Sequence, residues 1–213
     1  MSDAARAEVP GSGKTGLVVL VLSYPLLSHF SAVLGLPLLQ WLALVVLCAV
    51  PQYAALRALR PRNWLLLALL AGLLFLLTQA GGGLYALWIP PVVLPAMAAA
   101  LFIGTLREGQ VPLVTRMARA ERGTLPPELV SYTRAVTRLW AWLLSAMTLA
   151  AVVLALFASP WLWSLFTNFV CYALLALMFA GEYAFRRVKF RHLPHPGFVA
   201  FVRFLVRTNP RSV

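Results

Sequence analysis

The chain has 213 residues, of which 62% are hydrophobic and 11% charged. A soluble domain carries about 25% charged residues, so the composition excludes an ordinary soluble enzyme and fits one integral membrane domain. The 18 Lys and Arg against 6 Asp and Glu give a net charge of +12. Without aromatic residues interleaved on an exposed groove, this charge does not read as nucleic-acid binding. It is explained instead by basic loops that set membrane topology.

Residues 1–16 read as a polar N-terminal tail. Their "GSGKTG" ends like a phosphate-binding loop, but the full pattern needs a glycine where Glu8 stands, and no strand signal precedes it. An apolar run begins at Leu17, which leaves Lys14 near lipid headgroups. The start also lacks the form of a cleavable signal peptide, because the first apolar run is long and leads straight into another.

A helix crosses the hydrocarbon core in about 20 apolar residues, and helices are expected because backbone groups in lipid must be paired within the segment. Six spans meet this condition: 17–35, 38–56, 64–80, 84–104, 139–159 and 161–183. Gly35-Leu36-Pro37, Gly81-Gly82-Gly83 and Ser159-Pro160 join them in pairs. The expected fold is therefore an all-α polytopic membrane protein. Cys48 and Cys171 lie inside apolar runs without metal or disulfide spacing and read as small buried hydrophobes.

The charges define an expected topology. Arg6 and Lys14 precede the first span, and Arg57, Arg60 and Arg62 separate the second from the third. The basic residues from Arg107 to Arg138 lie between the fourth and fifth, and those from Arg186 to Arg211 follow the sixth. These groups hold every Lys and Arg of the chain, and an even number of crossings puts them all on one side. Both termini and both long polar segments are then expected to be cytoplasmic. The tryptophans agree: Trp41, Trp88, Trp161 and Trp163 fall near outer ends of spans, and Trp64, Trp140 and Trp142 near inner ends.

Few polar residues enter the spans. The first carries Ser23, Tyr24, Pro25, Ser28 and His29; the sixth carries Asn168 and Tyr172. The fourth carries Pro90, Pro91 and Pro95, so its outer half is expected to bend or break. Tyr24, His29, Asn168 and Tyr172 could line a lipid-accessible cavity among spans one, four and six, or could serve ordinary helix packing through interhelical hydrogen bonds. His29 alone makes no metal site, and His192 and His195 lie in the tail. Neither a metal nor another cofactor is expected.

Residues 105–138 form a basic loop far longer than a hairpin needs. Between Pro112 and Arg122, Leu113, Val114, Met117 and Ala118 share one helical face, and Arg116, Arg119 and Arg122 largely occupy the other. This pattern predicts a short helix lying at the lipid interface, stopped by Gly123. Thr124 is placed to cap a further helix, with Pro126 and Pro127 in its first turn and Glu128 near its positive end. That helix is expected to run unbroken into the fifth span, carrying Tyr132, Arg134 and Arg138. Arg134 and Arg138 share a face, where like charges call for an anion between them: a lipid phosphate, or a ligand or partner. Glu182 lies one turn before Arg186 and reads either as an i,i+4 ion pair or as an acid or base. In the basic tail, residues 184–213, a second amphipathic stripe begins at Phe198.

Four stretches, "PLVTRMAR", "RGTLPPELVSYTRAVTRLW", "FAGEYAFRR" and "LPHPGF", resemble a family of small multi-pass bacterial inner-membrane proteins encoded in aryl polyene and xanthomonadin-like pigment clusters. The likeness runs from about Thr105 to Arg203, and "REGQVPL" keeps the Gly109 and Pro112 spacing of its lead-in. It implies a pathway rather than a reaction: an accessory or scaffold component of polyene-lipid assembly in the bacterial inner membrane. Membrane lipids, an acidic acyl carrier protein and soluble biosynthetic enzymes are the expected partners. Arg116, Arg119, Arg122, Arg134, Arg138, Arg186 and Arg187 would bind an anionic partner or lipid headgroups. A membrane-embedded acyl or phospholipid transferase is the alternative, with Glu182, His195, Glu128 and Tyr132 as candidates and no acyltransferase-type His/Asp pair in sight. A lipid-transport accessory is a second alternative, against which stands the lack of a midplane carboxylate or internal repeat.

Reporter fusions after Gly35, Gly82 and Ser159 should report the periplasm, and fusions after Arg60, Thr124 and Arg211 the cytoplasm. A single fusion on the wrong side, with insertion intact, would break the six-span topology.

Overall fold

The computed structural model describes residues 12–190, without the side chains of 12–14 and 121–122. The stripe expected from Phe198, together with His192 and His195, lies outside the described residues. No strand occurs among the described residues. The helices are α1 (Ser12–Leu34), α2 (Pro37–Ala49), α3 (Tyr53–Arg57), α4 (Pro61–Gln79), α5 (Gly83–Gly104), α6 (Leu113–Arg122), α7 (Pro127–Phe157), α8 (Pro160–Leu165) and α9 (Cys171–Lys189). A 3₁₀ turn, Val50–Gln52, links α2 to α3, and a π-helical segment, Phe166–Val170, links α8 to α9. Six stretches are long and apolar enough to cross a membrane: Thr15–Leu34, Pro37–Arg57, Pro61–Gln79, Gly83–Gly104, Pro127–Phe157 and Pro160–Lys189.

Prolines and polar residues explain where these helices depart from regularity. The second span is interrupted because Pro51 has no N–H to donate; the Gln52 side chain donates to the Cys48 carbonyl at 3.0 Å beside the break. The expected break of α5 does not occur. Its helix runs from Gly83 to Gly104 through Pro90, Pro91 and Pro95. Each proline forfeits one backbone bond, whereas ending the helix in lipid would strand several groups at several kcal/mol each. The sixth span changes its winding at Phe166–Val170, which is π-helical; its apolar run alone does not signal this. Thr167 and Asn168 donate side-chain bonds to the carbonyls of Trp163 and Ser164, at 3.0 and 3.1 Å. The shift to i→i+5 bonding is thereby covered from the side chains. Cys48 and Cys171 are free thiols, half-buried rather than enclosed.

The chain divides into two compact units. One comprises the residues up to Pro90 and Leu154–Phe169; the other comprises Pro91–Val153 and the residues from Val170 onward. In the first, α1 packs on α2 and α8, and α2 packs on α4. Tyr24, Ala43, Leu44, Leu87 and Trp163 form its core. The Trp41 indole donates to the Ala71 carbonyl at 2.8 Å, tying α2 to α4. Two turns close helices with the same pair of bonds. After α4, Gly82 N–H donates to Leu77 and Gly81 N–H to Thr78, with Gly81 at φ +83°. After α3, Arg60 N–H donates to Ala55 and Leu59 N–H to Leu56, with Leu59 at φ +51°. Glycine takes the left-handed position freely, whereas leucine there costs about 1–2 kcal/mol.

The second unit is built around α7. Ala99, Val136, Trp140 and Leu144 form its core, and Trp140 contacts Phe102 and Phe179 with ring centroids 5.9 and 4.7 Å away. The predicted short helix is present as α6, stopped at Gly123 with φ +78°. Threonines hold it. Thr105 Oγ1 accepts from Leu113 N–H at 3.0 Å, and Thr137 Oγ1 accepts from Val114 N–H at 3.3 Å. These side chains from α7 and the segment after α5 satisfy donors that a helix start leaves open. Thr115, wholly buried, bonds Thr133 at 2.7 Å. One face of α6 is therefore joined to α7 by polar pins, which the apolar pattern did not disclose. Thr124 does not cap α7: the first helical bonds are accepted by the Pro126 carbonyl, from Leu129 and Val130 at 2.9 and 3.2 Å. With two prolines opening the helix, the start falls two residues beyond the expected cap.

Thr115→Val and Thr137→Val should each leave a buried polar group without its partner, at about 1–3 kcal/mol. Hydrogen exchange should then show protection of amides 113–119 falling by about tenfold or more, with amides around Trp140 unaffected. Unchanged protection in both variants would refute the pinning.

Candidate functional site

Within the second unit, the start of α7 and the end of α9 bring three of the sequence-predicted residues together. Tyr132 Oη donates to Glu182 Oε1 at 3.2 Å and lies 3.5 Å from the Glu182 carbonyl oxygen. Arg186 Nε pairs with the same Oε1 at 3.5 Å. The side chains of Arg186 and Glu182 are only 14% and 11% exposed, so the pair is not the solvated surface bridge that its spacing alone implies. Phe185 stacks on Tyr132 at 5.7 Å and Phe190 meets it edge-on at 5.1 Å. Lys189 Nζ sits 5.4 Å from the Phe185 ring and 5.9 Å from that of Phe190, within cation–π range.

A cavity of about 620 Å³ opens beside this cluster. Its walls are apolar: Val136 and Leu139 from α7, with Leu177, Met178 and Phe185 from α9. Ala135 and Gly181 leave the space, and a Cβ on Gly181 would meet nothing within 4 Å. The polar lining residues Ser131, Tyr132, Glu182 and Lys189 gather at the end nearer the start of α7 and the finish of α9. Leu139 and Leu177 mark the other end. The cavity is thus graded from polar to apolar along its length.

A second polar cluster belongs to the first unit. Asn168 Nδ2 donates to Ser28 Oγ at 3.3 Å and to Ser164 Oγ at 3.0 Å, while Ser164 Oγ lies 3.0 Å from His29 Nδ1. Ser28, Ser164 and Asn168 are all buried. The His29–Ser164 contact has the form of a base and nucleophile, but Ser164 is 0% exposed and accepts from Asn168 as well. Its chemistry is that of an interhelical latch. Tyr24 belongs to the hydrophobic core. Tyr172 is 52% exposed whereas Asn168 is buried, because the π-helical segment alters the helical phase between them.

The basic candidates do not converge. Arg119, Arg134, Arg138 and Arg187 are exposed, Arg116 is partly buried, and Glu128 is exposed in the first turn of α7. The Arg122 side chain and His195 lie outside the described residues. Among the described residues, no three His, Cys, Asp or Glu side chains gather as a metal site. Sequence reasoning passed over Gly181, Lys189, Ser164 and the threonine pins. The available signals were a glycine immediately before the lone intramembrane-boundary carboxylate, and the Ser164–Asn168 pair at helical spacing.

The chain matches no protein-family model, and no curated protein or solved structure shows significant similarity to it.

Asn168→Leu should remove two interhelical or inter-turn partners and strand buried hydroxyls, at about 1–3 kcal/mol. The midpoint of thermal unfolding in detergent should drop by several degrees. A midpoint equal to that of the parent protein would show that the latch contributes nothing.

Proposed function

We propose that this chain is a non-catalytic accessory component of polyene-type lipid assembly in the bacterial inner membrane. Its basic cytoplasmic face docks an acidic acyl carrier protein or soluble enzymes, and its helices hold a greasy acyl chain. The family resemblance of residues 105–203 supplies the pathway. The observation that carries the docking role is the length of α7. Its 31 residues measure about 46 Å at 1.5 Å per residue, against about 30 Å of hydrocarbon.

The surplus supports a helical extension beyond the membrane, bearing exposed Arg134 and Arg138. The threonine pins hold α6, with Arg116 and Arg119, against the same helix. A basic surface on a rigid support suits transient docking of an acidic partner, because complementary charge raises the encounter rate and sets orientation. Arg186 neutralises Glu182, and Tyr132 donates to the same carboxylate oxygen, an arrangement that favours an accessory role over a transferase.

Reversing Arg134 and Arg138 to Glu should weaken binding of an acidic acyl carrier protein by about tenfold or more, with expression and insertion intact. Binding to the parent protein should weaken as salt rises above physiological strength, where screening acts over about 8 Å. A double reversal that binds the carrier as the parent does would leave lipid anchoring as the role of this loop.

A further inference from the structure

We infer that the graded cavity between α7 and α9 is a binding site for a single-chain acyl amphiphile with a phosphate at its head. The inference rests on the proposed reading of the chain as a holder of acyl chains, but not on carrier docking. Three observations carry it. The volume, about 620 Å³, falls in the range of about 300–1,000 Å³ typical of sites for one small ligand, so the site admits one chain rather than the two of a bilayer phospholipid. The apolar walls lie at the Leu139 and Leu177 end and the polar groups at the other, which orients an amphiphile along the groove.

The charge at the polar end selects an anion. Glu182 is occupied by Tyr132 and Arg186. Lys189 makes no salt bridge among the described residues and lines the cavity mouth. Among the residues that line the cavity, Lys189 is the cation. An ammonium group at the polar end, with the nearby carboxylate already paired, matches a phosphate head.

Gly181 gives the means of testing this. It is helical, lines the cavity, and faces open space. A Cβ there meets nothing within 4 Å, so a larger side chain beside the groove can be introduced, and in a helix interior glycine is the less favourable residue.

The experiment uses the full chain in neutral detergent micelles. The probe is a palmitoyl lysophosphatidic acid with a photoreactive diazirine at its chain end. The matching monoacylglycerol tests the head, and dipalmitoyl phosphatidic acid, as competitor, tests for a bilayer-lipid source. Labelling should fall on peptides containing Leu139 and Leu177, favour the phosphate probe by about tenfold, and resist the diacyl competitor. Gly181→Phe should reduce labelling by about tenfold or more while carrier docking persists. Lys189→Gln should reduce the preference for the phosphate probe with the monoacylglycerol signal unchanged. Equal labelling of Gly181→Phe and parent would mean annular lipid only and overturn the site. Equal labelling by both probes, or full displacement by the diacyl lipid, would overturn the stated ligand class. A parent that docks the carrier but takes no label loses the groove alone; one that takes the label but docks no carrier keeps the groove and loses the docking role.

Discussion

Backbone amides and carbonyls in hydrocarbon must find partners within the protein, and the rest of this structure is built around that requirement. It makes the apolar runs helical, carries α5 unbroken through three prolines, and dictates what happens where a helix is disturbed. Pro51 removes a donor and Gln52 supplies one to the nearby Cys48 carbonyl. The π-helical segment shifts the bonding pattern, and Thr167 and Asn168 reach back to the carbonyls of Trp163 and Ser164. At these two disturbances a side-chain donor stands close by, because an unpaired group in lipid costs several kcal/mol.

Burial within the protein imposes a like requirement on the long polar loop. The start of α6 has open N–H groups, as every helix start does, and the apolar residues around them cannot accept. Thr105 and Thr137 do so, and Thr115 adds a buried bond to Thr133. Threonine suits these positions because its methyl group packs with the core while its hydroxyl both donates within its own helix and accepts from a neighbour. Thr137 does this by donating to the Thr133 carbonyl at 2.8 Å while accepting from Val114. A loop joined in this way can present its arginines in defined positions.

Charge is handled differently at the two ends of the Tyr132 cluster. Glu182 and Arg186 are largely withdrawn from solvent and hold each other beside aromatic rings. Lys189 lies over two of those rings. Burying the carboxylate unpaired would be costly, so its partners are local: a tyrosine from α7 and an arginine one turn along α9. This arrangement leaves the apolar groove bordered by net positive charge, a consequence of pairing the cluster's carboxylate within it.

Periodicity and run length determined the six spans, the short α6 and the long α7, because hydrophobic transfer and backbone pairing act along the local chain. Gly123 and the prolines at 126 and 127 marked boundaries for the same local reason, although the cap fell at Pro126 rather than Thr124. The Glu182–Arg186 pair was also legible, being one helical turn apart. Tertiary structure alone decided that Tyr132 joins that pair across 50 residues of sequence, that Tyr172 turns outward while Asn168 is buried, and that Gly181 opens a cavity. These depend on which faces of distant helices meet and on the phase change introduced by the π-helical segment. Neither quantity is encoded in a local pattern, since a polar residue on a span carries the same sequence signal whether it faces a partner helix, a groove or lipid.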